Sequence, residues 1–168
     1  SKLILKSSVH DHQLLRDNIK NKFKKNGIEG EKIIFMERLK NYDDHLKMYN
    51  NIDISLDTFP FAGATTTFES LWMGVPTITL SGEIFNSKFG LSINKNLNLD
   101  TFIAKDKNDY IEKAKIISLD INKLSQIRYS LRNLAINSSL FDNKDFGLEL
   151  CKILKDKWRL FSQQNKNL

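Results

Sequence analysis

Ile52–Leu80 reads IDISLDTFPFAGATTTFESLWMGVPTITL, and the fold is decided in this stretch. Ile52, Ile54 and Leu56 alternate with polar residues, which is the two-residue period of a strand. A loop follows from Asp57, interrupted by Pro60 and Gly63, and Thr65–Met73 then takes up a helical pattern closed by Gly74. Pro76–Leu80 returns to β-branched residues. A strand, a helix of two turns and a second strand joined by short connections form a parallel pair with a crossover helix.

The same alternation extends outward. Leu3–Lys6 reads as a first strand and residues 11–25 as a helix whose Leu15, Ile19 and Phe23 recur every four positions, with Gly27 as its stop. Lys32–Met36 is a second strand, His45–Asn50 a short helix, and Thr101–Ala104 a fifth strand after the two in the central stretch. The fold class is α/β: a Rossmann-like parallel sheet with crossover helices. From Asp109 onward only helical periods remain. Their apolar stripes are Tyr110, Ile111, Ala114 and Ile117, then Leu124, Ile127, Leu131 and Leu134, then Phe146, Leu150, Leu154, Trp158 and Phe161, each expected to face a core. No Gly-, Pro- or Ser-rich linker divides the chain, so residues 1–168 are expected to form a single domain, with 163–168 a fraying tail.

The composition narrows the function classes. The chain has 168 residues, 40% hydrophobic and 27% charged, with seven Gly and two Pro, which excludes a fibrous or wholly disordered polymer. The single cysteine, Cys151, cannot close an intramolecular disulfide, and the chain is expected in a reducing compartment, the cytoplasm. No apolar run is long enough for a membrane span. A net charge of +6 is compatible with an anionic ligand, but the lysines are scattered over every helix, so nucleic acid is not an expected partner. The chain starts on Ser1 and enters an apolar run at once, and it reads as a piece of a longer polypeptide.

In parallel α/β sheets ligands bind at the carboxyl ends of the strands. The loop Asp57–Thr65 is the richest such place: it opens a helix whose first N–H groups and positive dipole end suit a phosphate, with Thr65, Thr66 and Thr67 clustered there. An alternative stands beside that reading, since Thr66 and Glu69 have the spacing of a capping box. Two features favour a ligand: a cap needs one hydroxyl where this loop supplies three, and Phe59 and Phe61 flank Pro60 where polar residues would be ordinary. His45, at the start of its short helix, is the second candidate. Nothing in the sequence sets Cys151 or a serine beside a histidine as a nucleophile, and no Asp-x-Asp pair offers a metal site.

DISLDTFPFAGATTTFESLWMGVPTITLSGE (Asp53–Glu83) resembles the catalytic region of the O-GlcNAc transferase and SPINDLY family. EKIIFMERLKNYDDHLKMYNNID before it and SSLFDNKDFGLELCKILKDKW after it extend the resemblance along nearly the whole chain. The resemblance implies the C-terminal lobe of a GT-B glycosyltransferase that transfers a sugar, with inversion and without a metal or other cofactor, to Ser or Thr of a protein. It implies UDP-N-acetylglucosamine as donor, with GDP-fucose as the rival; a non-catalytic α/β module for protein interaction or nucleic-acid binding is the remaining alternative. It assigns Gly63, Ala64, Thr65, Thr66 and Thr67 to the diphosphate, Glu69 to the ribose, His45 to the base, and the backbone near Leu39 and Lys40 to the base edge. Ala64, Glu69 and Met48 depart from the His, Asp and Arg of the animal enzymes. Catalytic residues, a diphosphate-neutralising Lys, the N-terminal lobe and tetratricopeptide repeats are expected upstream of Ser1.

Overall fold

The computed structural model describes residues 1–7, 12–37 and 39–164. Residue 11, placed in the first helix by its pattern, and residues 165–168 of the tail lie outside them. The chain divides into two compact units, Ser1–Ile52 and Asp53–Leu168.

In the first unit, strands β1 (Leu3–Lys6) and β2 (Ile33–Met36) pair in parallel, with Leu3 opposite Ile33 and Lys6 opposite Met36. Helix α1 (Gln13–Lys24) connects them. Its half-buried face carries Leu15, Ile19 and Phe23, and Arg16 and Lys20 reach over the Phe35 ring of β2, 5.8 and 5.9 Å from its centroid. Gly27 follows the helix with φ +76°, as its role as a stop requires. Helix α2 spans Tyr42–Lys47 and continues as a 3₁₀ turn over Met48–Asn51. It starts three residues before the expected His45 because Asn41 is an effective N-cap, its side chain accepting the Asp43 N–H at 2.8 Å. Asp43 and Asp44 stand in its first turn, where negative charge suits the helix dipole.

In the second unit, β3 (Ser55–Leu56), β4 (Thr77–Leu80) and β5 (Ile103–Ala104) form a parallel sheet with β4 at its centre. The α/β class with parallel strands is borne out. β3 is shorter than the expected Ile52–Leu56. Ser55 lies opposite Thr77, and the chain before Thr77 is still turning out of α3 (Thr65–Trp72), so earlier residues have no strand to pair with. Helix α4 (Phe89–Asn96) has no counterpart in the sequence reading. α5 (Lys107–Leu119), α6 (Ile121–Ile136) and α7 (Asn143–Gln164) complete the chain.

The core of this unit is built from Leu71 of α3, Ile93 and Leu97 of α4 and its end, and Leu131 and Ala135 of α6, with Phe68, Leu99, Leu140 and Phe141 closing its margin. Phe141 lies edge-on to Phe68 at 5.8 Å and tilted against Trp72 at 5.9 Å, so the Ser138–Phe141 segment braces α3. The helical stripes fare unequally. Leu124 and Leu131 are buried, Leu134 and Ile111 are exposed, and the whole α7 stripe from Phe146 to Phe161 is exposed. A helical period establishes that one face is apolar; it does not establish that this stretch of chain supplies the cover.

Two glycines with nearly the same backbone separate conformational strain from steric strain. Gly27 has nothing within 4 Å of an added Cβ, whereas at Gly74 (φ +72°) a Cβ would meet the Arg128 carbonyl oxygen at 2.8 Å. Gly27→Ala is expected to cost about 1 kcal/mol and Gly74→Ala at least ~1 kcal/mol more, read from urea transitions followed by circular dichroism. Equal losses would remove the steric part. Tyr110 of α5 donates its hydroxyl to the Asp57 carbonyl at 2.9 Å. Burial, and after it the nearby Asp57 charge, pushes this phenol well above its usual range. A folded-state affinity for the proton above the unfolded value means stability present below about pH 10 and lost as pH rises beyond it. Tyr110→Phe should therefore lose about 0.5–1.5 kcal/mol at pH 7, and its deficit against the parent should shrink above pH ~10. A constant deficit from pH 7 to 11 would contradict this.

Candidate functional site

The loop leaving β3 is held by its own polar groups. Thr58 donates its hydroxyl to the Phe61 carbonyl at 2.6 Å, and the Ala62 N–H donates to the Asn86 carbonyl at 3.0 Å, which ties the loop to the segment leaving β4. The Phe59–Pro60 peptide is cis, and Phe59 and Phe61 are exposed. The Asp57 carboxylate accepts the Gly63 N–H on one oxygen at 2.7 Å and the Thr79 hydroxyl on the other at 2.7 Å. Sequence reasoning passed over Asp57. Its only signal is its place at the end of a strand, since the partner Thr79 lies on another strand and the pairing is not local.

Helix α3 opens at Ala64, which occupies the N-cap position with no side-chain cap. Thr66 is thus the second residue of the helix rather than its cap, so the Thr66–Glu69 capping box does not form. A capping box requires its hydroxyl residue to stand outside the helix. Thr67 is 2% exposed and its hydroxyl donates back to the Gly63 carbonyl at 2.8 Å, which commits its one proton within the loop. Thr65 and Thr66 are exposed. Glu69 lies four residues past Thr65 and three past Thr66, and these spacings put all three on one face of the helix. Thr67, Ser70 and Leu71 form the opposite, buried face.

Gly63 is required by this arrangement. A Cβ there would come 2.7 Å from the Thr66 hydroxyl and 2.9 Å from the Thr67 hydroxyl. The first N–H groups of a helix have no carbonyl partner within it, so the start of α3 presents donors together with the Thr65 and Thr66 hydroxyls. Helix starts of this kind suit an anion.

The other candidates belong to the first unit. Leu39 and Lys40 lie exposed between β2 and α2. His45 is half-buried within α2 rather than at its head, with the Tyr42 ring centroid at 6.0 Å and that of Tyr49 at 5.7 Å. Lys6, the last residue of β1, contacts His45 Nδ1. Among the described residues no group of His, Cys, Asp or Glu is placed to hold a metal ion, and no helix is long and apolar enough to cross a membrane. Cys151 is exposed on α7.

Comparison with known proteins gives this geometry a lineage. SPINDLY of Solanum lycopersicum, named a probable UDP-N-acetylglucosamine–peptide N-acetylglucosaminyltransferase, is 34% identical over 161 residues, which is 96% of this chain and 17% of that protein. The UDP-N-acetylglucosamine–peptide N-acetylglucosaminyltransferase of Caenorhabditis elegans is 25% identical over 80% of this chain and 12% of its own length. The chain thus spans less than a fifth of these relatives. A solved structure of a point mutant of the Thermobaculum terrenum O-GlcNAc transferase superposes with a TM-score of 0.90 at 28% identity, over 97% of this chain and 31% of that one. The profile of glycosyl transferase family 41 matches residues 13–150, and the chain belongs to that family.

Proposed function

We propose that the 168 residues act as the nucleotide-sugar-binding lobe of a protein O-glycosyltransferase, with UDP-N-acetylglucosamine as donor and Ser or Thr hydroxyls of a protein as acceptor. The observation that carries the reading is the face of α3 on which Thr65 and Thr66 lie exposed at the helix start, with Glu69 one turn later. The relatives' names supply the donor and the acceptor class.

The chemistry suits that face. The acceptor oxygen forms a bond to the anomeric carbon of the sugar from the side opposite the departing group, while the bond from that carbon to the diphosphate breaks with inversion. Negative charge grows on the departing diphosphate. Fixed donors at the start of α3 meet that charge without reorganising at the moment of reaction. Thr67 has a different part, since its bond to the Gly63 carbonyl shapes the loop from beneath. Glu69 is assigned to the ribose hydroxyls, His45 to a face of the base, and the backbone of Leu39 and Lys40 to its edge. The acceptor, the proton-accepting base and a cation for the diphosphate are assigned to the N-terminal lobe of the full-length enzyme, working in the cytoplasm.

Two variants divide the site into its parts. Val has about the helix propensity of Thr, so Thr65→Val with Thr66→Val removes the hydroxyls while leaving α3 intact. Calorimetry in matched salt should show the affinity advantage of UDP over uridine mostly erased, with uridine binding kept within about threefold. A full remaining advantage would place the diphosphate elsewhere. His45→Ala is expected to weaken UDP and uridine alike, by about 0.5–1.5 kcal/mol for a lost ring contact. Unchanged uridine binding would free His45 of the base.

A further inference from the structure

The loop that carries the anion-binding face has an anchor beneath it that the assignment of ligand contacts leaves out. Asp57 stands at the carboxyl end of β3 and is tied on three sides. Its backbone N–H donates to the Ile78 carbonyl at 2.9 Å, its backbone carbonyl accepts the Tyr110 hydroxyl at 2.9 Å, and its carboxylate spans Gly63 and Thr79. The residue is therefore rigidly placed before it meets the loop. Thr79 is fully buried in the central strand, so the carboxylate is referenced to the buried centre of the sheet.

The bonds run in series. Thr79 donates to Asp57, Asp57 accepts from the Gly63 N–H, and the Gly63 carbonyl accepts from Thr67. Each link fixes the orientation of the next, because the two peptide units that meet at Gly63 are held on either side of its Cα, the first at the Gly63 N–H and the second at the Gly63 carbonyl. Close packing supports the chain at two glycines. A side chain at Gly63 would strike the Thr66 and Thr67 hydroxyls, and one at Gly90 of α4 would strike the Thr79 hydroxyl and the Asp57 carboxylate. Both neighbours of the carboxylate are thus stripped of Cβ, which lets it reach the loop without bulk on either side.

We propose that Asp57 is a positioning residue for the donor diphosphate: by fixing the Gly63 peptide from the buried strand, its carboxylate sets where α3 begins and so where the Thr65 and Thr66 donors stand. The effect passes through Gly63 and Thr67, and Asp57 itself touches no ligand. A negative group below an anion site would by itself oppose binding, but here each of its two oxygens accepts a hydrogen bond, which offsets part of its charge. This inference rests on the diphosphate reading given above.

The test uses the full chain with UDP and uridine as probes, together with amide hydrogen exchange at Gly63. Asp57→Ala should lower UDP affinity by about tenfold, keep uridine within about threefold, and speed exchange at Gly63 by about tenfold or more. Asp57→Asn retains an acceptor for the Gly63 N–H and should recover at least about half of the lost affinity on a logarithmic scale. If Asp57→Ala does not fold, Thr79→Val tests the same chain one link earlier. It should reduce the UDP advantage by about threefold, and Thr79→Ser should restore it. Faster exchange at Gly63 with an unchanged ratio of UDP to uridine affinity would overturn the proposal, as would equal weakening of both ligands. A parent chain that binds UDP no better than uridine, while Asp57→Ala still speeds exchange at Gly63, would instead overturn the diphosphate reading and reduce Asp57 to a loop anchor.

Discussion

The central strand of the second unit sets the terms for the structure around it. β4 pairs on both edges, with β3 and β5, and Thr77, Ile78 and Thr79 are buried. Backbone pairing accounts for the peptide groups of such a strand but leaves its threonine hydroxyls to find partners of their own, because a buried hydroxyl without one costs free energy. Thr79 meets that demand by donating to Asp57. At the start of the strand the Thr77 carbonyl accepts from Asn94, which joins α4 to the sheet through a bond whose donor is fully buried. Polar groups in the middle of the sheet thus become the ties that fix the loop on one side and a helix on the other.

The same logic gives α3 its two faces. Ser70 donates to the Val75 carbonyl and Leu71 enters the core, while Phe68 and Trp72 rest on Phe141. Arg132 lies over the Trp72 ring at 4.3 Å. These contacts hold the helix from its second turn onward. Its first turn is held from the loop, through Thr67 and Gly63, while Thr65 and Thr66 lie exposed.

Much of this could be read from residues in order. The strand periods, the turns at Gly27 and Gly74, and the cluster of hydroxyls after Gly63 are local signals; the turns and the hydroxyls fall where the pattern puts them, and each strand period holds a strand, though β3 and β5 are shorter than their periods. The resemblance of Asp53–Glu83 led to the family that the profile match establishes. Local signals also misled. The Thr66–Glu69 spacing fits a capping box, yet the helix opens two residues earlier because the loop bond between Thr67 and Gly63 selects that start. Helix α2 begins three residues before the expected His45 because the Asn41 side chain caps it, a signal that helical period alone does not carry.

The sequence by itself determined the kind of elements, their parallel connection and the loop that carries the candidate site, because period, turn chemistry and helix-end signals act over a few neighbouring residues. Tertiary structure decided the rest: that Thr67 is inward and Thr65 and Thr66 outward, that Asp57 reaches Gly63 and Thr79, and that α4 exists as a helix against the sheet. It also decided which stripes are covered. Leu131 of α6 is buried and Trp158 of α7 is exposed, although both belong to helical patterns of the same kind. Burial is a property of what packs against a face, and hydrogen bonds such as that between Asp57 and Thr79 join residues 22 positions apart. Neither is encoded in the spacing of residues along one element.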